Sequence, residues 1–493
     1  MPCTTILIGK NATYDGSTMI ARNDDSGSDH FTAKKFAVFA AQTQPAVYHS
    51  VLAHAEIPLP GHALRCTAVP NAVPGKGVWA ASGVNEANVA MTATETITTN
   101  ERVAGADPFV RWQPAKDGRP EQPGGIGEED LVLLVLPYIR SAREGVVRLG
   151  SLLAQYGTYE SNGIAFQDAD EIWWLESIGG HHWIAKRVPD DAYVVMPNQL
   201  GIDSFDLADA LGAQKEHLCS PDLADFIREN HLDPALDGRC NPRDIFGSHT
   251  DADHVYNTPR AWYMERCLNP HTFDWDGPCA DFTPESDDIP WCGVPEKKVT
   301  PEDVKYLLSS HYQGTPYDPY GSSGDALQRG KYRSIGINRN DFMALIQIRP
   351  YMPAACRAVE WLAFASNAFN AFVPVYANIT AVPAYLGCTD ETVSTDSFYW
   401  ASRLVAALAD AHCGKCLSHI ERYQFAVAAQ GHQLIAAWDK KLQAAAPDAA
   451  PALCAQANQE IADMLRAETQ KALDKVLFEA SSAMKNAYAR SDV

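Results

Sequence analysis

The chain has 493 residues, 46% of them hydrophobic and 20% charged, so it is long enough to bury a sizeable core. Its formal net charge of −21, from 40 basic and 61 acidic side chains, would repel phosphate backbones and anionic membrane surfaces. We therefore expect no nucleic-acid partner and no membrane partner, and the densest apolar stretch, residues 131–138, is too short to cross a bilayer.

The first hundred residues are typical of short strands and turns. Residues 4–8 and 18–22 are β-rich runs, and Asp15-Gly16 between them is a strong hairpin signal. The pattern predicts further strands over 35–41 and 77–81, and a turn leading into another strand within 83–92.

Helical and extended patterns alternate in the rest of the chain. Acidic residues followed by leucines at helical spacing predict a helix over 128–156, with a kink at Pro137. A meander of strands is expected next, and two helical segments follow it. The end of the chain is Ala-rich and predicts long amphipathic helices broken at Pro447 and Pro451. The predicted strands are 163–166, 171–176, 182–187 and 193–196, and the predicted helical segments are 206–229, 301–310 and 402–489.

This order of elements predicts an α+β fold in which two antiparallel sheets pack face to face with helices outside. We expect one catalytic domain over residues 1–400, with an irregular insertion near 230–300 that is rich in Pro, Asp, Trp and His. Residues 401–493 are expected to form a helical extension packed on the same domain. The sequence leaves open whether the chain forms a homo-oligomer.

Twelve cysteines are too few for a disulfide scaffold in so long a chain, and the start lacks a secretory signal, so we expect a cytoplasmic protein with mostly reduced cysteines. Cys413 and Cys416 have redox or zinc spacing, but no second pair follows them. His181 and His182 would point to opposite faces of a strand and could not readily share an ion. We predict no metal and no cofactor.

Cys3 permits two interpretations. In most proteins a cysteine at the start of a strand is a buried packing residue. After removal of Met1 and Pro2, however, its thiol would be a nucleophile with its own α-amine as the base. An α-amine titrates near pKa ~8, low enough to accept a proton from a thiol at neutral pH.

Several blocks of sequence occur in order along the chain. They are 3–5 (CTT), 15–25 (DGSTMIARNDD), 83–86 (GVNE), 125–130 (GIGEED), 179–183 (GGHHW), 195–199 (VMPNQ), 311–318 (HYQGTPYD) and 336–340 (GINRN). Together these blocks resemble the dipeptidase A family of N-terminal-nucleophile cysteine hydrolases, which is related to penicillin V acylases and bile salt hydrolases. The resemblance covers most of the chain, and it implies an αββα sandwich whose nucleophile is the mature N-terminal residue.

The resemblance places the nucleophile at Cys3 and the Arg-x-x-Asp pattern of the relatives at Arg22 and Asp25. A guanidinium beside a thiol favours the thiolate, and a carboxylate can hold the α-ammonium. Without Cys3 nearby, Arg22 and Asp25 could equally be an ion pair at a strand end, which contributes little to stability.

Three further candidates follow from the same resemblance. Asn198 matches a side chain that donates its amide N–H to the oxyanion, although Asn is also common in turns after strands. Asn85 is a weaker match that could simply shape a turn. Arg260 matches an arginine of the relatives' sites, and Arg266 lies close enough in sequence to compete for the assignment.

The expected activity is cysteine-type hydrolysis of small dipeptide substrates through an acyl-enzyme on Cys3. Selectivity for short peptides requires recognition of a terminus, by an acidic group or by an arginine, and the sequence does not say which. Pro2 must be removed either by attack of Cys3 or by an aminopeptidase. Hydrolysis of non-peptide amides, as in the acylase and bile salt hydrolase relatives, and a non-catalytic secernin-like binding role are the alternatives.

Overall fold

The computed structural model describes residues 3–92, 95–236, 238–322 and 324–485. Its strands are β1 Thr4–Ile8, β2 Thr18–Asp25, β3 Ala37–Phe39, β4 Val47–His49, β5 Glu56–Pro58, β6 Cys66–Ala68, β7 Ser82–Asn85, β8 Ala90–Thr92, β9 Glu95–Thr96, β10 Asn162–Gln167, β11 Ile172–Ser177, β12 Trp183–Arg187, β13 Tyr193–Met196, β14 His217–Cys219, β15 Cys292–Gly293, β16 Asn340–Ile348, β17 Ala358–Phe364 and β18 Val373–Tyr376.

The α-helices are α1 Glu101–Ala106, α2 Leu131–Val135, α3 Ala142–Tyr156, α4 Leu207–Leu211, α5 Leu223–Glu229, α6 Pro242–Phe246, α7 Asp253–Tyr256, α8 Thr258–Leu268, α9 Pro301–Leu308, α10 Ala384–Gly387, α11 Phe398–Asp410, α12 Cys413–Ala444 and α13 Ala450–Ser482. Short 3₁₀ turns lie at Ala41–Thr43, Leu136–Tyr138, Ala354–Cys356, Asn367–Phe369 and Pro447–Ala449. Among these described helices, none has both the length and the apolarity that a membrane span requires.

Two antiparallel sheets stack between two layers of helices. One sheet has the strand order β15-β13-β1-β2-β16-β17-β18, and the other has the order β14-β12-β11-β10-β8-β7-β6-β3, with β9 beside β10. Helix α3 and the 3₁₀ turn at Leu136–Tyr138 contact the second sheet, while α9, α11, α12 and α13 contact the first. This arrangement confirms the predicted α+β sandwich and its C-terminal helical region.

Strands β1 and β2 lie near the centre of the first sheet, and every residue of both strands is buried. Leu7 of β1 pairs with Ile20 of β2, and both side chains join the core that the two sheets share with Trp174 of β11. Side chains two residues apart share a face of a strand, so Arg22 also points between the sheets. Its Nη1 donates to the carbonyl of Ala81 across that gap, at 3.3 Å.

Several predicted boundaries are wrong for local reasons. The single helix expected over 128–156 is divided into α2, a 3₁₀ turn and α3, because Pro137 has no N–H to continue the helix and Ser141 caps a new one. The strand expected over 77–81 begins only at Ser82, since Trp79 has a φ of +48°, which extended pairing does not allow.

Two errors involve pairing between distant segments. The strand predicted over 193–196 is present, but it pairs with β1 in the first sheet and does not continue the meander of β10, β11 and β12. The helix expected over 206–229 is interrupted by β14. Asp209 accepts the N–H groups of Lys215, Glu216 and His217, and these bonds lead the chain from α4 into that strand.

The segment near 230–300 is more regular than predicted, since it contains α6, α7, α8 and the short strand β15. The C-terminal helices break at the turn before α13, as expected at Pro447. Pro451, in contrast, lies in the first turn of α13, where proline costs no hydrogen bond, so the second predicted break is wrong.

Candidate active site

The pairing of β1 with β2 brings Cys3 beside Arg22. Arg22 Nη2 donates to Cys3 Sγ at 2.6 Å, and both side chains are fully buried. A guanidinium at this distance stabilises the thiolate relative to the thiol. The structure therefore brings together the predicted nucleophile and the predicted arginine.

Asp24 is the carboxylate nearest to this pair. Its Oδ1 lies 3.9 Å from Cys3 Sγ and 3.1 Å from Arg22 Nη2, and its Oδ2 lies 2.9 Å from the ammonium of Lys34. Burial raises the pKa of Asp24, but the charges of Lys34 and Arg22 outweigh burial and hold it below its usual value. Asp24 is thus a buried, ionised group in contact with the thiol.

Asp25 faces the other side of β2 because side chains alternate along a strand. Its carboxylate accepts a hydrogen bond from Asn340 Nδ2 at 2.8 Å and forms an ion pair with Arg333. Burial raises the pKa of Asp25 more than these two partners lower it. Its contacts among the described residues do not include Cys3, so the structure does not bring this predicted site residue to the thiol.

Asn198 follows β13 and contacts the backbone nitrogen of Cys3. Its Oδ1 accepts from Cys3 N at 3.1 Å and from Arg260 Nη2 at 2.8 Å, whereas its Nδ2 donates to the carbonyl of Thr96 at 2.9 Å. Two donors on one side and an acceptor on the other determine the orientation of the amide. The amide oxygen of Asn198 therefore faces the nitrogen that would become the α-amine.

Arg260, and not Arg266, belongs to this site. Arg260 is fully buried in α8, contacts the Cys3 carbonyl, and donates to Thr4 Oγ1 and Asn257 Oδ1 at 2.7 Å each. Arg266, two helical turns away, pairs with Asp276 at the surface. A segment predicted as an irregular insertion thus supplies an arginine to the first strand.

Asn85 supports a turn and does not contact Cys3. Its Nδ2 donates to the carbonyls of Leu136 and Ile139 at 2.9 and 2.8 Å, and its Oδ1 accepts from the N–H groups of Ala87 and Val89. All four partners lie within or beneath the β7–β8 connection, which is the shaping role that the sequence left open.

The two adjacent histidines bind a single carboxylate. Nδ1 of His182 and Nδ1 of His181 lie 2.8 and 3.2 Å from Asp107, which also accepts both of their backbone N–H groups. Burial raises the pKa of Asp107, but these hydrogen bonds have the larger effect and hold the pKa well below its usual value. The His182 ring also stacks on Phe226. These contacts explain the histidines as parts of a loop anchor.

Within the described residues, a single group has the composition and spacing of metal ligands, namely Cys3, Asp24 and Glu128, with ligand atoms within 4.8 Å of one another. Arg22 Nη2 contacts all three, at 2.6 Å from the sulfur, 3.1 Å from Asp24 and 3.4 Å from Glu128 Oε1. A guanidinium already provides the positive charge that a metal would bring, so these residues fit a cationic side chain better than an ion.

A cleft of about 520 Å³ reaches the site at Asn198. Hydroxyl and amide side chains form most of its wall, and Asp253 and Tyr256 of α7 complete it. The other lining residues are Thr96, Thr98, Ser248, Thr250, Ala252 and Asn257. The cleft thus combines apolar surface with hydroxyl and amide groups, and the predicted site residue Asn198 lies in its wall.

Sequence reasoning did not assign Asp24, Lys34 or Glu128 to the site. Asp24 could have been found, because it is two residues from Arg22 on a predicted strand and must share its face. Lys34 and Glu128 lie in irregular connections, so the contact of Lys34 with Asp24 and that of Glu128 with Arg22 have no signal in strand or helix periodicity.

Comparison with known proteins identifies relatives along the whole chain. The model of peptidase family C69 matches residues 2–425. The chain is 55% identical to a dipeptidase of Bifidobacterium longum over all of both chains, and 49% identical to a probable dipeptidase A of Streptococcus pyogenes serotype M3, also over all of both chains. It is 41% identical to dipeptidase A of Lactobacillus helveticus over 98% of this chain and 97% of that one. The chain therefore belongs to peptidase family C69, the dipeptidase A family.

Proposed function

We propose that this chain is a cysteine-type dipeptidase whose nucleophile is the Cys3 thiolate. The observation that carries the proposal is the contact of 2.6 Å between Arg22 Nη2 and the buried Cys3 Sγ, at the start of a central strand. A thiolate held there is a stronger nucleophile than a thiol. The names of the relatives, dipeptidase and dipeptidase A, support dipeptides as substrates.

The proposed reaction begins when Cys3 Sγ attacks the scissile carbonyl carbon and the carbonyl oxygen takes up negative charge. We assign this oxyanion to the amide N–H of Asn198, whose side chain lines the cleft and would exchange the Thr96 carbonyl for the substrate oxygen. Collapse of the intermediate breaks the C–N bond and leaves an acyl group on sulfur. The α-amine of Cys3 takes the proton of the thiol, gives it to the leaving amine, and later accepts a proton from the attacking water, which it returns to the sulfur when the acyl group leaves.

The remaining polar groups position the reacting ones. Asn198 Oδ1 would hold the α-amine, because it already accepts from Cys3 N. Arg260 fixes that oxygen and the Cys3 carbonyl at once. Asp25 and Asn85 would act through their neighbours, Asp25 by holding Arg333 and Asn85 by holding the β7–β8 turn.

Activation requires a free amine on Cys3. Met1 and Pro2 lie outside the described residues, so their removal is argued from chemistry alone. Cys3 Sγ can attack the Pro2 carbonyl, which forms a thioester while the peptide C–N bond breaks and the amine gains a proton. Water then hydrolyses the thioester and frees Cys3. An aminopeptidase would give the same product.

The test is hydrolysis of a panel of dipeptides by purified protein whose intact mass shows that it begins at Cys3. The Cys3→Ala variant should lose activity by on the order of 10⁴-fold or more, as nucleophile removal does in other acyl-transfer enzymes. A matched Cys388→Ala variant, at an exposed cysteine, should keep full activity.

Three results would contradict the proposal: full dipeptidase activity in Cys3→Ala, full activity in protein that keeps Pro2, and hydrolysis of penicillin V or conjugated bile salts with no hydrolysis of dipeptides. The first would remove Cys3 as the nucleophile, and the second would remove its free α-amine as the proton carrier. The third would leave Cys3 chemistry in place and change the substrate class.

A further inference from the structure

The wall of the cleft contains a tyrosine surrounded by arginines. Tyr256, at the end of α7, lines the cleft beside Asn198. The guanidinium carbons of Arg260 and Arg333 lie 5.2 and 5.1 Å from the centre of its ring, and Arg339 Nη2 donates to its hydroxyl oxygen at 2.7 Å. Arg260 also links Tyr256 to the nucleophile, because its Nε donates to the Tyr256 carbonyl while its Nη1 contacts the Cys3 carbonyl.

Arg339 differs from the buried arginines of the site in its partners. Its hydrogen bonds go to two neutral oxygens, the Tyr256 hydroxyl and, at 3.5 Å, Ser28 Oγ. Its buried Nε has no hydrogen-bond partner, and no carboxylate of the described residues lies within ion-pair distance of it. A half-buried guanidinium that faces only neutral groups would gain from an anion.

The carboxylates near the site, in contrast, already have donors. Asp24 is paired with Lys34 and Arg22, and Asp25 with Arg333 and Asn340. Asp253, in the cleft wall, accepts four hydrogen bonds, from Ser248 Oγ, Thr250 N, Thr250 Oγ1 and Asn257 Nδ2. A substrate ammonium would have to displace these donors from a carboxylate. A substrate carboxylate, in contrast, would become a further hydrogen-bond partner of Arg339.

We infer that Arg339 and Tyr256 form the subsite for the free carboxylate of the substrate, so that the enzyme recognises a dipeptide by its C-terminus. This inference rests on the proposed function. The Tyr256 oxygen accepts from Arg339 and can give its own proton to one carboxylate oxygen, while the guanidinium binds the other. The carboxylate of a dipeptide lies one residue beyond the scissile carbonyl, which suits a subsite beside the nucleophile and excludes longer peptides on that side.

The experiment compares a dipeptide that the processed enzyme cleaves with its C-terminal amide and with its N-acetyl derivative. Wild-type kcat/KM for the free acid should exceed that for the amide by about 10- to 100-fold, the effect of losing one hydrogen bond to a charged group. Arg339→Gln should collapse this ratio toward one, mainly through a higher KM for the free acid. Arg339→Lys should recover part of it, because the charge is kept and the planar fork is lost.

Two further variants separate recognition from structural damage. Tyr256→Phe keeps the ring between the arginines and should reduce the ratio by less than Arg339→Gln does. Arg466→Gln, at an exposed arginine of α13 that pairs with Asp396, should leave the ratio unchanged.

An unchanged acid-to-amide ratio in Arg339→Gln would overturn the inference and leave the proposed function standing. A wild-type enzyme that tolerates the amide but rejects the N-acetyl dipeptide would also overturn it, in favour of ammonium recognition. Absence of all dipeptide hydrolysis by processed wild-type protein would instead count against the proposed function.

Discussion

The Cys3 sulfur shares one guanidinium with two buried carboxylates. Arg22 contacts the sulfur, Asp24 and Glu128, and Lys34 neutralises the far oxygen of Asp24. Two unit charges 4 Å apart interact by about 4 kcal/mol at an effective dielectric constant near 20. The state of the thiol therefore depends on the balance between Arg22, which favours the thiolate, and Asp24, which disfavours it.

Opposite shifts should follow from neutralising each member of this pair. Arg22→Gln should raise the pH midpoint for alkylation of Cys3, because the thiolate loses its adjacent cation. Asp24→Asn should lower the midpoint, because a negative charge 3.9 Å from the sulfur disappears. Each shift should amount to about one to three pH units.

The measurement is the rate of iodoacetamide alkylation of processed protein against pH, followed at the Cys3 peptide. Arg266→Gln, at a surface arginine, provides the control and should match wild type. Structural damage alone would move both variants the same way, so shifts of equal sign would contradict the electrostatic explanation.

For single site residues, the sequence predicts contacts where the two residues are close along the chain, and it predicts candidates where a family motif is complete. Cys3 and Arg22 face each other across one hairpin, and Asn198 and Arg260 were recognised by resemblance. Asn198 and Arg260 are separated from Cys3 by 195 and 257 positions in the sequence, so no periodicity could predict that they contact it. The motif selects Asp25, whereas the alternation of side chains along β2 places Asp24 on the same face as Arg22.

Individual strands also connect the two sheets directly. Glu360 of β17 accepts a hydrogen bond of 2.5 Å from Thr67 Oγ1 of β6, in the interior between the sheets. Burial raises the pKa of Glu360 to about 7, and the bond from Thr67 lowers it only in part. A carboxyl group in this position stays protonated in the native protein well above the pH at which it would ionise in the unfolded chain.

The free energy of unfolding should therefore fall as pH rises from about 4.5 to about 7. In that window the native state binds a proton that the unfolded state has released, so stability decreases with pH, by about 3 kcal/mol in total from this group. Glu360→Gln should remove this part of the pH dependence. Urea unfolding at pH 5 and pH 8 measures it, with exposed Glu391→Gln as the control, and parallel losses in wild type and Glu360→Gln would contradict it.

The prediction of elements succeeded where a segment carried its own pattern, as in β1 and β13, whose bounds match. It failed where a partner decides the structure. The β14 strand exists because it pairs with β12, and its own sequence lies between two helical patterns. Strands β16, β17 and β18 complete the first sheet, and their mostly continuous burial gives no alternation to read.

At the scale of the whole molecule, the C-terminal helices cover the edge of the first sheet. Strand β18 is its edge, and Asn458 of α13 accepts from Tyr376 N at 2.8 Å and donates to Tyr376 O at 2.9 Å. Arg349, after β16, forms a bidentate pair with Asp439 of α12 at 2.6 and 3.1 Å. Side chains of α12 and α13 also belong to the main core, and the predicted boundary at residue 400 lies inside α11.

Removing these helices should therefore unfold the catalytic part of the chain and not release an independent domain. A chain ending at residue 411 would expose the apolar face of the first sheet, leave the backbone of Tyr376 without Asn458, and leave Arg349 buried without its carboxylate. Loss of one partner of a buried pair alone costs about 3–5 kcal/mol, a large share of the 5–15 kcal/mol that holds a typical protein folded.

Thermal unfolding followed by circular dichroism should show no cooperative transition in the chain that ends at residue 411, and a control chain ending at residue 485 should melt as the full protein does. If the shorter chain melted cooperatively and cleaved dipeptides, residues 412–493 would be a separate unit, and the sandwich would be stable without α12 and α13.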